Sequence, residues 1–313
     1  YGILFCVLGK KKILERVLPG VLAAELVLNG VFTFVINYGA NPDIRVYTDY
    51  VSQSQQQIEQ IQEREESVFY RMDTLEKRND AGDGCSAFLN EAMVYGYHGL
   101  AHYSSTYDTD ISKMIFDVGY STLLDLSVIQ ESIIPSDALF GVKYLLSQKE
   151  VAGYEKVDEI PEYNGKSVYL NPYALDVGIG TGKEILENIE NADSFAFQNE
   201  LFSNLLGREV EIFKKTEPVM KIENGQAEFL LSQGNPEDIL YGYVDSWITE
   251  LQLFIDGTYR CNYATWLSEK VFSAGYGSQD HTVTLTNYTG TEQEIFPHFY
   301  FLDMDVFQEV IEE

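Results

Sequence analysis

The residues best suited to chemistry lie close together. Tyr95-Gly96-Tyr97-His98-Gly99-Leu100-Ala101-His102-Tyr103-Ser104-Ser105-Thr106-Tyr107 holds four tyrosines, two histidines, two serines, a threonine and two glycines. That mix is too polar for a core strand and too aromatic for a solvated linker. Imidazoles change charge near neutral pH. Tyrosine rings combine an apolar face with a hydroxyl edge, which suits a pocket or an interface. Two readings stand: a ligand site built from convergent polar groups, or a buried tyrosine-rich corner whose hydroxyls satisfy loop backbone.

Other motifs carry less. Gly178-Ile-Gly180-Thr-Gly182-Lys183 looks like a phosphate loop, but Val177 stands where a Walker loop needs glycine, and Glu184 follows the lysine. The dinucleotide spacing is not met either. Asn287-Tyr-Thr289 matches a glycosylation sequon. Asp303 and Asp305 open a helical pattern, where the helix dipole already explains them. No Ser-His-Asp constellation can be argued from separation along the chain. Cys6, Cys85 and Cys261 are scattered, which argues against a zinc site and a disulfide framework. A Cys85–Cys261 bridge is open, with isolated thiols the simpler expectation. No metal site is expected.

The chain has 313 residues, a length for roughly two domains. It is 45% apolar, enough to bury a core. Its formal charge of −28 repels nucleic acid and gives no support for binding an anionic bilayer. With 22 tyrosines and 18 phenylalanines, intrinsic disorder is excluded. The first residue is Tyr1, so the sequence reads as a piece of a longer protein.

The elements that must position the Tyr95–Tyr107 stretch follow from periodicity. Val17–Ile36 is a run of about twenty mostly apolar residues, the length that crosses a hydrocarbon core. Residues 1–40 are therefore read as a membrane segment: the end of one helix, a short cytoplasmic loop at Lys10-Lys11-Lys12, and a spanning helix over Ile13–Ile36. Glu25 and Asn29 lie four apart on one face of it. A carboxylate at that depth costs about 2.5–3.5 kcal/mol and normally faces other helices. The competing reading is a buried helix of a soluble body.

Residues 41–217 read as a mixed α/β extracytoplasmic domain. Asn41-Pro42-Asp43 is a turn. Tyr50–Glu66 is a largely solvated helix that Ser52 can cap. Val68–Met72 has strand composition, and Asn79–Gly84 is turn chemistry. Asp110 opens a short helix that stops at Gly119. Val142–Leu146 and Lys166–Leu170 are strands. Ser194–Leu206 is a helix ending at Gly207. Residues 218–313 show short alternating segments: Ala227–Leu231, Ile239–Val244, Thr249–Ile255, Tyr259–Tyr263, Thr282–Thr286 and Ile295–Leu302. Asp256-Gly257 marks a hairpin, Asn287–Gly290 another turn, and Phe307, Val310 and Ile311 a final helix. The expected fold class is α+β: an amino-terminal transmembrane helix, the mixed domain, then an antiparallel β-sandwich.

Several segments together resemble the bacterial YfhO family of multi-spanning membrane proteins. They are Phe69-Tyr-Arg-Met-Asp73, Tyr97-His-Gly-Leu-Ala-His-Tyr-Ser-Ser-Thr106, Phe140-Gly-Val-Lys-Tyr-Leu-Leu146, Asn171-Pro-Tyr-Ala-Leu175 and Gln198-Asn-Glu-Leu-Phe202. Order and spacing fit over residues 68–207, and the second segment is the most specific. Asp176 departs from the family's usual proline, and His98 from a small polar residue such as asparagine.

The resemblance implies a GT-C type glycosyltransferase. Such proteins take sugar from a polyprenyl-phosphate carrier and place it on an envelope polymer, with lipoteichoic acid the implicated acceptor. The implied partners are membrane lipid, that carrier and polymer, and further transmembrane helices of the same chain. The bulk of this chain would lie outside the bacterial cell membrane. Acidic catalytic residues of this architecture sit on earlier outer loops, so none is assigned here, and no cofactor beyond the sugar donor is implied. In that frame Arg71 and Asp73 pair with one another or orient the 97–107 loop. Tyr97, His102, Ser104, Ser105 and Tyr107 line the mouth, with Arg71 and His102 as phosphate contacts. The rival class is a non-catalytic, membrane-anchored glycan-binding or envelope-assembly module.

Overall fold

A computed structural model describes residues 11–40, 44–76, 90–123, 126–176, 178–186, 189–190, 193–264 and 270–313. The expected features at Tyr1–Gly9, Asn41–Asp43 and Asn79–Gly84, and the thiols of Cys6 and Cys85, lie outside the described residues. The chain divides into two compact units, the first reaching Asp49 and the second starting at Tyr50.

The first unit contains helix α1 (Lys11–Ala40). Its Val17–Ile36 stretch has a mean hydropathy of 1.8, and none of it is buried. Among the described residues it is the helix long and apolar enough to cross a membrane. Leu26, Leu28, Phe32 and Phe34 are each about two-thirds exposed or more, so the reading of a buried soluble helix does not hold. Lys11 and Lys12, expected in a loop, are helical, because lysine has a good helix propensity. Pro19 falls inside the helix and removes one backbone donor. Glu25 is half-buried and Asn29 exposed.

Helix α2 (Ile44–Arg64) starts earlier than Ser52, which lies within it and caps nothing. Most of its residues are exposed, as expected, but one face is not. Tyr50, Ser54, Gln57, Ile58 and Ile61 form a buried face, and Gln57 Nε2 donates to the Lys166 carbonyl at 2.8 Å. Amide-rich composition hid that face, since a buried glutamine needs only a satisfied hydrogen bond to be tolerated.

Strand β1 (Arg71–Thr74) pairs in parallel with β5 (Val142–Ser147). A parallel pair requires a long crossover. Here the crossover carries α3 (Glu91–Tyr95), β2 (His102–Tyr103), α4 (Thr109–Asp117), β3 (Ser121–Leu123), β4 (Leu126–Val128) and α5 (Ile134–Leu139). The order β2-β4-β3 makes a small antiparallel sheet of its own. Strands β6 (Glu155–Lys156) and β7 (Ser167–Leu170) complete the first sheet in the order β1-β5-β7-β6. Met72, Tyr144, Leu146 and Val168 from this sheet pack on Ile58 and Ile61 of α2. Helix α6 (Ser194–Leu206) runs from an Asp193 cap to Gly207 in the left-handed conformation at φ 65°.

Among the described residues nine further strands follow: β8 (Phe213–Thr216), β9 (Val219–Glu223), β10 (Gln226–Leu231), β11 (Ile239–Ser246), β12 (Leu251–Ile255), β13 (Thr258–Tyr263), β14 (Phe272–Tyr276), β15 (His281–Thr286) and β16 (Ile295–Leu302). They form two antiparallel sheets, β13-β12-β15-β10-β9 and β14-β11-β16-β8. Helix α7 (Met304–Glu312) closes the chain, capped by Asp303, whose side chain accepts from Val306 N.

Alternation decides where each side chain goes. Leu240 and Val244 of β11, with Phe299 and Phe301 of β16, meet Phe229, Leu253 and Val283 of the other sheet in one core. Their neighbours Ile239, Tyr241, Tyr243, Tyr300 and Leu302 turn the opposite way and pack on Val118, Ile134, Phe195 and Phe213. The central strands β11 and β16 of the β14-β11-β16-β8 sheet therefore bury side chains on both faces. The larger core draws residues from both sides of position 217 and joins the strand-rich part to the crossover. Burying each of these large side chains contributes about 1.5–3 kcal/mol.

Candidate functional site

The site is assembled from β1 outwards. Asp73, 2% exposed, is an acceptor for three backbone N–H groups. Its Oδ2 receives Leu100 N at 2.8 Å and Ala101 N at 3.0 Å, and its Oδ1 receives Thr74 N at 3.1 Å. An ionised carboxylate makes stronger hydrogen bonds than a neutral acceptor. This one turns the chain at Leu100 into β2. Asp73 thus holds the 97–107 loop.

Arg71 faces elsewhere. Its Nη1 donates to the Phe140 carbonyl, and its guanidinium lies 5.0 Å from the Phe69 ring centroid. Burial pushes its pKa down. Phe69 in turn stacks on His98 at 4.8 Å. Arg71, Phe69 and His98 form one grouping, and Arg71 is not among the residues lining the cavity described next.

The second grouping surrounds a cavity of about 270 Å³ lined by His102, Ser104, Thr106, Tyr107, Asp108, Ile111, Ser112, Ile115 and Ser127. Strand β2 supplies His102, whose backbone pairs with Ser127 of β4. The outer edge of β2 is held by the Asn90 amide. Its Oδ1 accepts from Tyr103 N at 2.9 Å and its Nδ2 donates to Tyr103 O at 3.2 Å. Ser104 Oγ donates to Thr106 O at 2.7 Å, folding the loop back. Helix α4 forms the far wall and is capped by Asp108, which accepts from Asp110 N and Ile111 N. The expected cap at Asp110 is displaced by two residues. Asp110 lies inside the helix, and a cap needs the extended backbone that Asp108 has.

The hydrogen bonds put a proton on His102 Nδ1. Buried Ser127 Oγ donates to Leu100 O at 2.5 Å. The same hydroxyl is 2.8 Å from His102 Nδ1, and Nδ1 is 3.0 Å from Leu100 O. With the serine proton on the carbonyl, the 3.0 Å contact between Nδ1 and Leu100 O is a hydrogen bond that Nδ1 donates.

The structure therefore brings His102, Ser104 and Tyr107 to one cavity. Ser105 is exposed and does not line it. Tyr97 packs beside the cluster of Ile58, Met72 and Val168, and burial pushes its pKa well up. Thr106 of the singled-out stretch also lines the cavity, and five wall residues had no place in the sequence reading of the site: Asp108, Ile111, Ser112, Ile115 and Ser127. Ile111 and Ile115 were visible as a helical i, i+4 pair, but such a pair signals a core face. Ser127 gave no signal, since only strand pairing brings it to His102.

Two other ionisable groupings are built into cores. Asp137 accepts from Tyr120, Ser132 and Tyr154 hydroxyls, and burial pushes its pKa up to about 7. His298 Nδ1 is 2.6 Å from Asp193 Oδ2 and its ring stacks on Tyr243 at 4.3 Å. Burial opposes its charge, but Asp193 and Asp245 carry its pKa up to about 9. Among the described residues no three His, Cys, Asp or Glu side chains are grouped as metal donors. Asp303 ion-pairs with Lys214 while capping α7.

No curated protein and no solved structure matches this chain. A family model described as bacterial membrane protein YfhO matches residues 3–235, the stretch that contains α1, the parallel β1–β5 pair and the whole cavity-bearing crossover. The chain belongs to the bacterial membrane protein YfhO family.

Proposed function

We propose that this chain is the extracytoplasmic portion of a polytopic membrane glycosyltransferase, which moves a sugar from a polyprenyl-phosphate carrier onto an envelope polymer such as lipoteichoic acid. One observation carries the reading. The segment most specific to the family, Tyr97–Thr106, supplies His102, Ser104 and Thr106 to the walls of a ligand-sized cavity. The exposed apolar helix α1 supports attachment to the bilayer. Glu25 and Asn29 on that helix are polar contacts for further membrane helices of the protein. The cavity positions the substrate, and acidic groups on other loops of the whole protein perform the transfer.

The test is His102→Ala in the full-length protein in cells. Loss of sugar from the envelope polymer, with the protein at its normal level in the membrane, is expected. Unaltered glycosylation would reject a role for the cavity. It would leave a glycan-binding or assembly module as the better description.

A further inference from the structure

We infer that the cavity between β2, β4 and α4 binds an uncharged polyol, one sugar ring in size, and not the phosphate of a carrier. The inference rests on the transferase reading for its biological setting and goes beyond it in naming which end of the substrate enters.

The first argument is charge. Recognition of phosphate uses guanidinium or ammonium donors, and no lysine or arginine lines this cavity. Of the two expected phosphate contacts, Arg71 is committed to Phe140 O and the Phe69 ring, while His102 lines the cavity with its Nδ1 engaged by Leu100 O and Ser127 Oγ. The first-turn N–H groups of α4 would attract an anion, but the Asp108 carboxylate already occupies those of Asp110 and Ile111. That carboxylate lines the cavity and repels a second anion.

The second argument is hydrogen-bonding type. The walls offer the hydroxyls of Thr106, Tyr107 and Ser112, each able to donate and accept, beside the Ser104 oxygen, whose proton is held by Thr106 O. His102 adds the Nε2 edge of its ring, since Nδ1 is engaged by Leu100 O and Ser127 Oγ and Nε2 has no partner among the described residues. A ring of mixed donors and acceptors beside Ile111 and Ile115 matches a sugar, whose hydroxyls alternate with C–H faces. Tyr107, 42% exposed, adds an aromatic ring to the lining, a group that suits the C–H face of a sugar. The third argument is size. At about 270 Å³ the cavity is just below the range of small-molecule pockets, roughly 300–1,000 Å³, so it admits one ring and not a chain of them.

The experiment uses the chain in lipid nanodiscs. Methyl glucoside, methyl galactoside and N-acetylglucosamine are the probes for saturation-transfer NMR, and inorganic phosphate is the probe for ³¹P line broadening. Saturation transfer to at least one sugar is expected, with no broadening of phosphate. Ser112→Phe fills the cavity and leaves the His102 hydrogen bonds intact. Tyr107→Ala alters only the exposed rim, so it tests the same site if the first variant fails to fold. Ser112→Phe should abolish the sugar signal, and Tyr107→Ala should weaken it by roughly five-fold, the factor carried by one lost hydrogen bond or its equivalent. Phosphate broadening abolished by Ser112→Phe, sugar signals unchanged in both variants, or no signal from any sugar would each overturn the inference. Sugar binding together with normal polymer glycosylation in His102→Ala cells would instead sink the transferase reading and leave the polyol site standing.

Discussion

Asp73→Ala should loosen the loop that forms the cavity. In the native chain the Asp73 carboxylate satisfies Leu100 N, Ala101 N and Thr74 N and is itself buried. Alanine leaves Leu100 N and Ala101 N without an acceptor, and both residues are buried. A buried unsatisfied donor costs about 1–3 kcal/mol. Two of them, softened by local relaxation and entering water, give about 2–4 kcal/mol. Asp73→Asn keeps the shape and one carbonyl oxygen, so about half that loss is expected. The assay is amide hydrogen exchange at Leu100 and Ala101, read beside thermal unfolding. Protection at these two amides should fall by about 1.5 to 3 orders of magnitude in Asp73→Ala, the factor that 2–4 kcal/mol implies. Exchange there indistinguishable from wild type would refute the claim that this carboxylate organises the loop.

Two further substitutions test the cores. His298 has its pKa raised to about 9, Asp193 and Asp245 prevailing over burial. The folded value exceeds the unfolded one, so the stabilisation is complete below pH about 6.5 and is lost as pH rises through about 9. The melting temperature should therefore fall between those values, and His298→Gln should flatten that slope. Gly242→Ala places a Cβ 2.5 Å from the Phe299 ring and 3.2 Å from that of Phe272. Overpacking there should cost about 1–3 kcal/mol in denaturant unfolding.

Much of the fold was legible because local chemistry agreed with the final structure. Gly207 stops α6 in a left-handed cap. Asp256 and Gly257, at φ 50° and 75°, make the hairpin between β12 and β13. Alternation located β10, β12, β15 and β16. Strands β8, β9 and β14 went unread. Lys214 and Lys215 make β8 look solvated, β9 alternates between exposed and half-buried positions without a buried face, and Gly275 in β14 argues against a strand. The site was partly legible: its composition singled out His102, Ser104 and Tyr107. What sequence hides is distance. The Arg71 partner is the carbonyl of Phe140, and the His102 partner is Ser127. Both arise from the crossover that a parallel β1–β5 pair demands, and no local pattern encodes them.

The most direct measurement is sugar transfer in proteoliposomes. Purified full-length protein is given a radiolabelled polyprenyl-phosphate sugar and lipoteichoic acid, and label reaching the polymer is counted for wild type and for Ser112→Phe at matched amounts of folded protein. Transfer by wild type with little or none by the cavity-filled variant is expected. Equal transfer by both, or no transfer by wild type under conditions where the protein is folded, would contradict a cavity that serves glycosyl transfer.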